Sequence, residues 1–225
     1  MSERRALDLF AGTRSATKFF AASTRWSVDY VELNDGTDIR SFHPREKYHF
    51  VWSSPPCPEY SQGGKNRTWQ EKYLANRELW LEGLRVIWEA KPRYWVVENV
   101  KGAQQVWGRA PYHYGPYFLW GYFPPIRAWV PWTESLKGIR FVGSDSRTPT
   151  ERAMIPEVLA REVFRAIEKA LDSPGYRPGD RDFAAERARA RRRLGIAGPR
   201  PGASSGVALR AQETEGNRRA EEATA

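Results

Sequence analysis

Tyr48-His49-Phe50-Val51-Trp52-Ser53-Ser54-Pro55-Pro56-Cys57-Pro58-Glu59-Tyr60-Ser61 sets an apolar, strand-like run directly against a turn that carries the chain's single cysteine. Pro55 and Pro56 fix φ just ahead of that cysteine, so the backbone entering Cys57 is stiff. A thiol on a rigid turn at the end of a strand is well placed to act as a nucleophile. A lone cysteine can equally be a small buried hydrophobe, and the flanking sequence has to decide.

Outward from this stretch, strands and helices alternate. Upstream, Arg5–Phe10 reads as a short buried strand closed by Ala11-Gly12, Ser15–Ala22 as a helix, and Ser27–Leu33 as a second strand ended by Asn34-Asp35-Gly36. Downstream, the polar loop Gln62–Arg67 leads to a helix over Trp69–Ala90, whose Trp80, Leu84, Ile87 and Trp88 recur at helical spacing as a core stripe. Lys91-Pro92 stops that helix, and Tyr94–Asn99 is a further strand. Such alternation argues for a mostly parallel sheet with helices on its faces, which binds ligands beyond the carboxyl ends of its strands. Asp8–Gly12, Pro55–Cys57 and Glu98-Asn99 all sit at such ends, so one shared site is the economical explanation.

Composition narrows the classes. Forty per cent hydrophobic residues and ten tryptophans supply a core for one main domain. No run approaches the roughly 18 apolar residues of a membrane span, and Met1–Arg5 reads as no signal peptide. One cysteine excludes an internal disulfide, and three scattered histidines (His43, His49, His113) make a zinc site improbable. The net charge of +9 favours an anionic partner, nucleic acid first. From Ser173 onward 11 Arg face 7 Asp and Glu, which leaves +5 of the total in residues 1–172.

The remaining segments divide as follows. Residues 101–149 are rich in aromatics, Pro and Gly, with short strands expected at Ala128–Trp132 and Gly138–Val142. Ile155–Leu171 is an amphipathic helix with Pro156 near its first turn. Beyond Ser173 too few large apolar residues remain to fold alone, so residues 173–225 read as a basic, disordered tail, with an Arg-rich helix conceivable near Asp182–Leu194.

Asp8-Leu9-Phe10-Ala11-Gly12, Pro55-Pro56-Cys57 with Ser61, and Glu98-Asn99-Val100 follow the order seen in DNA cytosine-5 methyltransferases. The chain resembles that family over roughly residues 5–171, in the compact layout of its phage and virus members. The resemblance implies a Rossmann-like S-adenosylmethionine-dependent methyltransferase fold with a much reduced target-recognition region. Residues 1–100 would form the donor-binding and catalytic core, 101–149 the reduced target-recognition segment, and 150–172 the helix completing the core. It also implies transfer of a methyl group from S-adenosylmethionine to C5 of a flipped cytosine in duplex DNA. Cys57 would add to C6, because C5 alone is a poor nucleophile. Glu98 would act near N3 by protonation or hydrogen bonding. Asp8, Phe10, Gly12, Glu32, Asp38 and Pro55 would border the donor, Glu32 at its ribose hydroxyls and Asp38 at its adenine amino group. Pro56, Ser61, Asn99 and Arg140 would lie toward the substrate. The implied location is the cytoplasm of a bacterial, archaeal or virus-infected cell, with no membrane and no metal.

Departures accompany the match. The family's glycine-rich loop continues with two more glycines, where this chain has Gly12-Thr13-Arg14-Ser15. The family's Gln-x-Arg-x-Arg segment has no clear counterpart, Arg127 and Arg140 being substitutes without rank, and the Asn-containing motif before the last helix is missing. Readings that stay open are an RNA cytosine-5 methyltransferase and a basic DNA-binding protein that has lost catalysis. An amino-methyltransferase is disfavoured, because an aromatic side chain follows its Pro-Pro turn where Cys57 stands here. Glu98, Glu32 and Asp38 could be ordinary strand-end or turn acids. The aromatics of 101–149 could stack on an exposed base or pack a core.

Overall fold

The computed structural model describes residues 3–60, 77–127 and 153–173. The expected strands at 128–132 and 138–142, the helix before residue 77, Ser61, Arg140 and the tail from residue 174 lie outside them.

Six strands form one sheet: β1 (Arg4–Leu9), β2 (Trp26–Val31), β3 (Phe50–Ser53), β4 (Tyr94–Asn99), β5 (Tyr112–Tyr114) and β6 (Tyr117–Tyr122). Their spatial order is β2-β1-β3-β4-β6-β5. The first four run parallel, and β6 joins β4 antiparallel with β5 beyond it. The mostly parallel α/β architecture expected from the alternation is therefore present, and the chain switches direction between β1 and β3.

Alternation along each strand splits the core into two layers. Leu7, Leu9, Val51 and Val97 face α2 (Arg77–Ala90), which returns Trp80, Leu84 and Ile87. Ala6, Phe50, Trp52 and Val96 face the opposite way, against Phe20 of α1 (Lys18–Ala21) and Leu159, Val163 and Ile167 of α4 (Glu157–Asp172). Phe20 stacks on Phe50 with ring centroids 4.9 Å apart. Strands covered on both faces explain the near-continuous apolar runs of β3 and β4. Lys91, at φ 46°, donates its N–H to the Ile87 carbonyl and ends α2 just before Pro92.

Two expected boundaries need correction, and one open choice is narrowed. The helix over Ser15–Ala22 shrinks to Lys18–Ala21, because the hydroxyls of Ser15 and Thr17 bond to distant partners, Ile155 N–H and the Asp8 carboxyl, rather than serving a helix. The strand expected to reach Leu33 stops at Val31, where Glu32 caps a 3₁₀ turn (Leu33–Asp35) closed by Gly36 at φ 85°. Segment 101–149 supplies α3 (Gln104–Trp107) and two strands of the main sheet. Trp107, Tyr117, Phe118, Trp120 and Phe123 are buried there, so core packing claims them, and among the described aromatics of this segment Tyr112 and Tyr122 stay exposed. Gly121, at φ 138°, permits the β4–β6 contact: a Cβ there would lie 2.2 Å from the Trp95 carbonyl oxygen. Among the described residues no helix is long and apolar enough to cross a membrane.

Candidate active site

The loop after β1 turns sharply. Phe10 and Ala11 both donate their N–H to the Val31 carbonyl, at 2.9 and 3.3 Å. Phe10 then takes φ 59° and Gly12 φ 46°. A left-handed aromatic residue is strained by about 1–2 kcal/mol, and its ring seat helps to hold it. Gly83 of α2 leaves room for that seat, since a Cβ there would lie 3.3 Å from the Phe10 ring and 2.9 Å from Ser53 Oγ. Gly12 N–H donates to Glu32 Oε2 at 2.8 Å, while Glu32 Oε1 accepts from Asn34 N–H at 3.3 Å. Glu32 thus ties the loop after β1 to the turn after β2.

Arg14 stands where the family expects glycine, and it adopts φ 57°. Its guanidinium pairs with Asp35 at 2.7 Å and lies 4.5 Å from the Tyr30 ring centroid. Those contacts hold a conformation that glycine takes without cost.

Asp8 lies on the α1/α4 side of β1 with 1% of its surface exposed. Thr17 Oγ1 donates to its Oδ2 at 2.6 Å. Burial pushes the Asp8 carboxyl up to about 7; the Thr17 hydrogen bond opposes this, nearby Glu32 adds to it and Arg14 opposes it.

β3 delivers the cysteine. Ser54 N–H donates to the Leu9 carbonyl at 3.1 Å, carrying the β1–β3 pairing one residue past the strand. Pro55 is buried, Pro56 is exposed and Cys57 is half-buried. The Cys57 carbonyl accepts from Tyr60 N–H at 3.0 Å, which closes a 3₁₀ turn over Pro58–Tyr60.

Two contacts bind this turn to the end of β4. Asn99 Nδ2 donates to the Pro55 carbonyl at 2.9 Å. Trp52 Nε1 donates to Ser54 Oγ at 2.8 Å, and Ser54 Oγ donates to Glu98 Oε2 at 3.2 Å. An indole N–H only donates, so it occupies a lone pair of Ser54 and leaves the hydroxyl hydrogen for Glu98. Glu98 and Asn99 are 2% and 1% exposed. A third contact comes from the 3₁₀ turn Lys101–Ala103: a Cβ on Gly102 would fall 1.9 Å from the Tyr60 carbonyl oxygen, so only glycine fits there.

A cleft of about 300 Å³ opens beside these ends, lined by Asp8, Phe10, Gly12, Trp52, Ser54 and Ile155 among others. That is the lower end of the about 300–1,000 Å³ typical of ligand pockets. Of the residues singled out in the sequence, Asp8, Phe10 and Gly12 form its wall and Glu32 is one hydrogen bond behind Gly12. Pro55, Pro56, Cys57, Glu98 and Asn99 gather at the adjacent strand ends. Asp38 is not among the lining residues: its carboxylate accepts from Arg40 N–H at 2.9 Å and pairs with the Arg40 guanidinium, which also reaches Glu78 of α2. Ser61 and Arg140 lie outside the described residues.

Sequence reasoning missed Ser54, Thr17, Ser15 and Ile155. For Ser54 half of the signal is in the sequence, its period-two alternation with Trp52, and the strand register gives the other half. Trp52 is the register partner of Val96, so counting in twos along both strands puts Ser54 beside Glu98. For Thr17, Ser15 and Ile155 no local pattern existed.

A model of the C-5 cytosine-specific DNA methylase family matches residues 10–106. A frog virus 3 (isolate Goorha) protein, "Probable DNA (cytosine-5)-methyltransferase", is 30% identical over 150 residues, covering 56% of this chain and 70% of that protein. Two solved structures are also similar. A candidate DNA modification methyltransferase encoded within an E. coli prophage is 17% identical with a TM-score of 0.35, over 46% of this chain and 34% of that one. A methyltransferase of Entamoeba histolytica is 12% identical with a TM-score of 0.33, over 56% and 55%. The chain spans about a third and about half of those two proteins.

Proposed function

The chain belongs to the DNA (cytosine-5)-methyltransferase family, and on that premise we propose that it methylates C5 of cytosine in DNA through a covalent bond between Cys57 and C6. The observation that carries this is the joint clamp on the Pro-Pro-Cys turn, where Ser54 and Asn99 fix the nucleophile's turn and the Glu98 carboxyl against each other. Positioned groups of this kind convert an encounter into an effectively unimolecular step.

Cys57, as thiolate, forms the S–C6 bond and pushes electron density to C5. Glu98 holds a proton or hydrogen bond at N3 and stabilises the charge that develops there. Bound S-adenosylmethionine would supply the methyl group that C5 takes. Loss of the C5 proton to water then restores the double bond and expels the Cys57 thiolate. The donor fits the cleft in chemistry as well as place: Gly12 allows close backbone approach, Phe10 offers an apolar ring edge and Asp8 a buried carboxyl. Asp38 would reach the adenine amino group through acceptor positions that its contacts with Arg40 leave open.

Pro56, Ser61, Asn99 and Arg140 are the proposed substrate-side residues, and the acceptor is a cytosine flipped from the duplex, because the target atoms are inaccessible in a stack.

The test is transfer of labelled methyl groups from S-adenosylmethionine to duplex DNA and, in parallel, to tRNA. Wild-type transfer to DNA that disappears in Cys57→Ala supports the proposal. Incorporation only into tRNA would move the substrate to RNA, and incorporation that survives Cys57→Ala would reject the covalent mechanism.

A further inference from the structure

Asp8 is the single charged side chain among the described residues that line the cleft. Among the described residues, no Lys or Arg comes within ion-pairing distance of it. The cation nearest in electrostatic effect, Arg14, is committed to Asp35 and Tyr30. Asp8 is the register partner of Trp52, and Leu9 accepts from Ser54 N–H, so its carboxyl belongs to the stretch of wall that runs on to Ser54, Glu98 and the Cys57 turn. A methyl group destined for a base held there has to be presented from this stretch.

We propose that Asp8 distinguishes the cationic methyl donor from its neutral product: the carboxyl releases its proton to solvent when a sulfonium docks beside it, and takes one back when transfer leaves an uncharged thioether. This rests on the donor assignment above.

A buried carboxylate without a counter-ion is costly. Two ways of removing the cost exist, a proton or a bound cation, and a sulfonium supplies the second. The Asp8 carboxyl, pushed up to about 7 by burial, stands where that exchange happens near neutral pH. The titratable and charged groups facing it are few. Glu32 at the end of β2 pushes its proton affinity up and Arg14 pulls it down, while Tyr30 of β2 shares the Thr17 hydroxyl with it. From the segment leading into α4, Ala153 and Ile155 bring no charge to the cleft. Donor and product share adenosine and amino-acid groups and differ in one methyl group and the charge it places on sulfur, so the pH dependence of the difference reports the contact.

Titration calorimetry of the full chain with S-adenosylmethionine and with S-adenosylhomocysteine tests this, in buffers of different ionisation enthalpy. Between about pH 6 and about pH 7.5, donor affinity should rise roughly eightfold, with close to one proton released at the lower pH, while product affinity stays flat. Asp8→Asn should flatten the donor's pH dependence and remove its advantage over the product. If Asn at this position prevents folding, the wild-type comparison stands alone. Equal pH dependence for both ligands, or donor binding without proton release, would overturn the role of Asp8 and leave the donor site intact. Binding of neither ligand would overturn both.

Discussion

The side-chain amide of Asn99 spans 2.9 Å to the carbonyl of Pro55, so the last residue of β4 holds the turn that leads to Cys57. The other end of the same amide accepts from Val100 N–H at 2.9 Å, which fixes its orientation. Asn99→Ala leaves buried polar groups unmet and should cost about 1–3 kcal/mol of stability. Its sharper effect is on rate: kcat should fall more than tenfold while donor affinity holds. Urea unfolding and single-turnover methylation separate the two effects, and a variant with wild-type kcat would remove Asn99 from the positioning of Cys57.

Gly102→Ala places a methyl group 1.9 Å from the Tyr60 carbonyl oxygen. Backbone cannot swing aside as a side chain would, so the 3₁₀ turn after Pro58 must shift. Overpacking of this kind costs about 1–3 kcal/mol. The rate at which Cys57 reacts with a thiol reagent should change in the same variant, whereas Gly108→Ala, which strains the backbone at φ 81° but meets nothing within 4 Å of its added Cβ, should leave that rate alone.

Asp8 gives the fold an acid-side preference. Its carboxyl rises from 3.8 to about 7 on folding, so between these values the folded chain binds more protons than the unfolded one. The group's contribution is complete below about pH 4, declines through the window and is lost above about pH 7, a span on the order of 4 kcal/mol. Denaturant midpoints from pH 5 to pH 8 should fall more steeply for the wild type than for Asp8→Asn. Parallel slopes would mean that the buried carboxyl is ionised throughout.

Glu168 on α4 accepts from Arg4 and from Trp26 Nε1 at 2.6 Å each, and from Arg25 at 2.8 Å. Glu168→Ala should cost about 2 kcal/mol or more, because it strands an indole N–H and leaves two partly exposed guanidinium groups with Asp172 as their remaining partner. Thermal unfolding in low and high salt checks this. The loss should persist in salt, since a pair 15–16% exposed is screened less than a surface one.

Much of the site could be read in the chain because it is built from strand ends. A rigid Pro-Pro-Cys turn, an acid-Asn pair and a Gly-closed loop each mark a place where a buried strand stops, and a parallel sheet brings such places together without further information. The rest depended on long-range partners. Nothing local marks Ser15 as the acceptor for Ile155 N–H, or Thr17 as the donor to Asp8, and those two bonds are why the expected helix starts three residues late. Tyr117–Tyr122 reads as one aromatic run among many until β4 claims it as a partner. For Asp38 the sequence left its local pairing unread: its carboxylate meets Arg40, two residues away.

The bond from Ile155 N–H to Ser15 Oγ joins residues 140 positions apart, and it has a consequence for the order of assembly. Cys57, Glu98 and the Asp8–Gly12 loop are all synthesised within the first hundred residues, yet one wall of the cleft arrives only with the segment leading into α4. A nascent chain therefore carries Cys57, Glu98 and the Asp8–Gly12 loop well before it has both walls of the cleft. Contacts of such sequence separation form more slowly than local ones, because loop closure has to come first. The proposed nucleophile and the cleft it would serve are thus separated in time during synthesis.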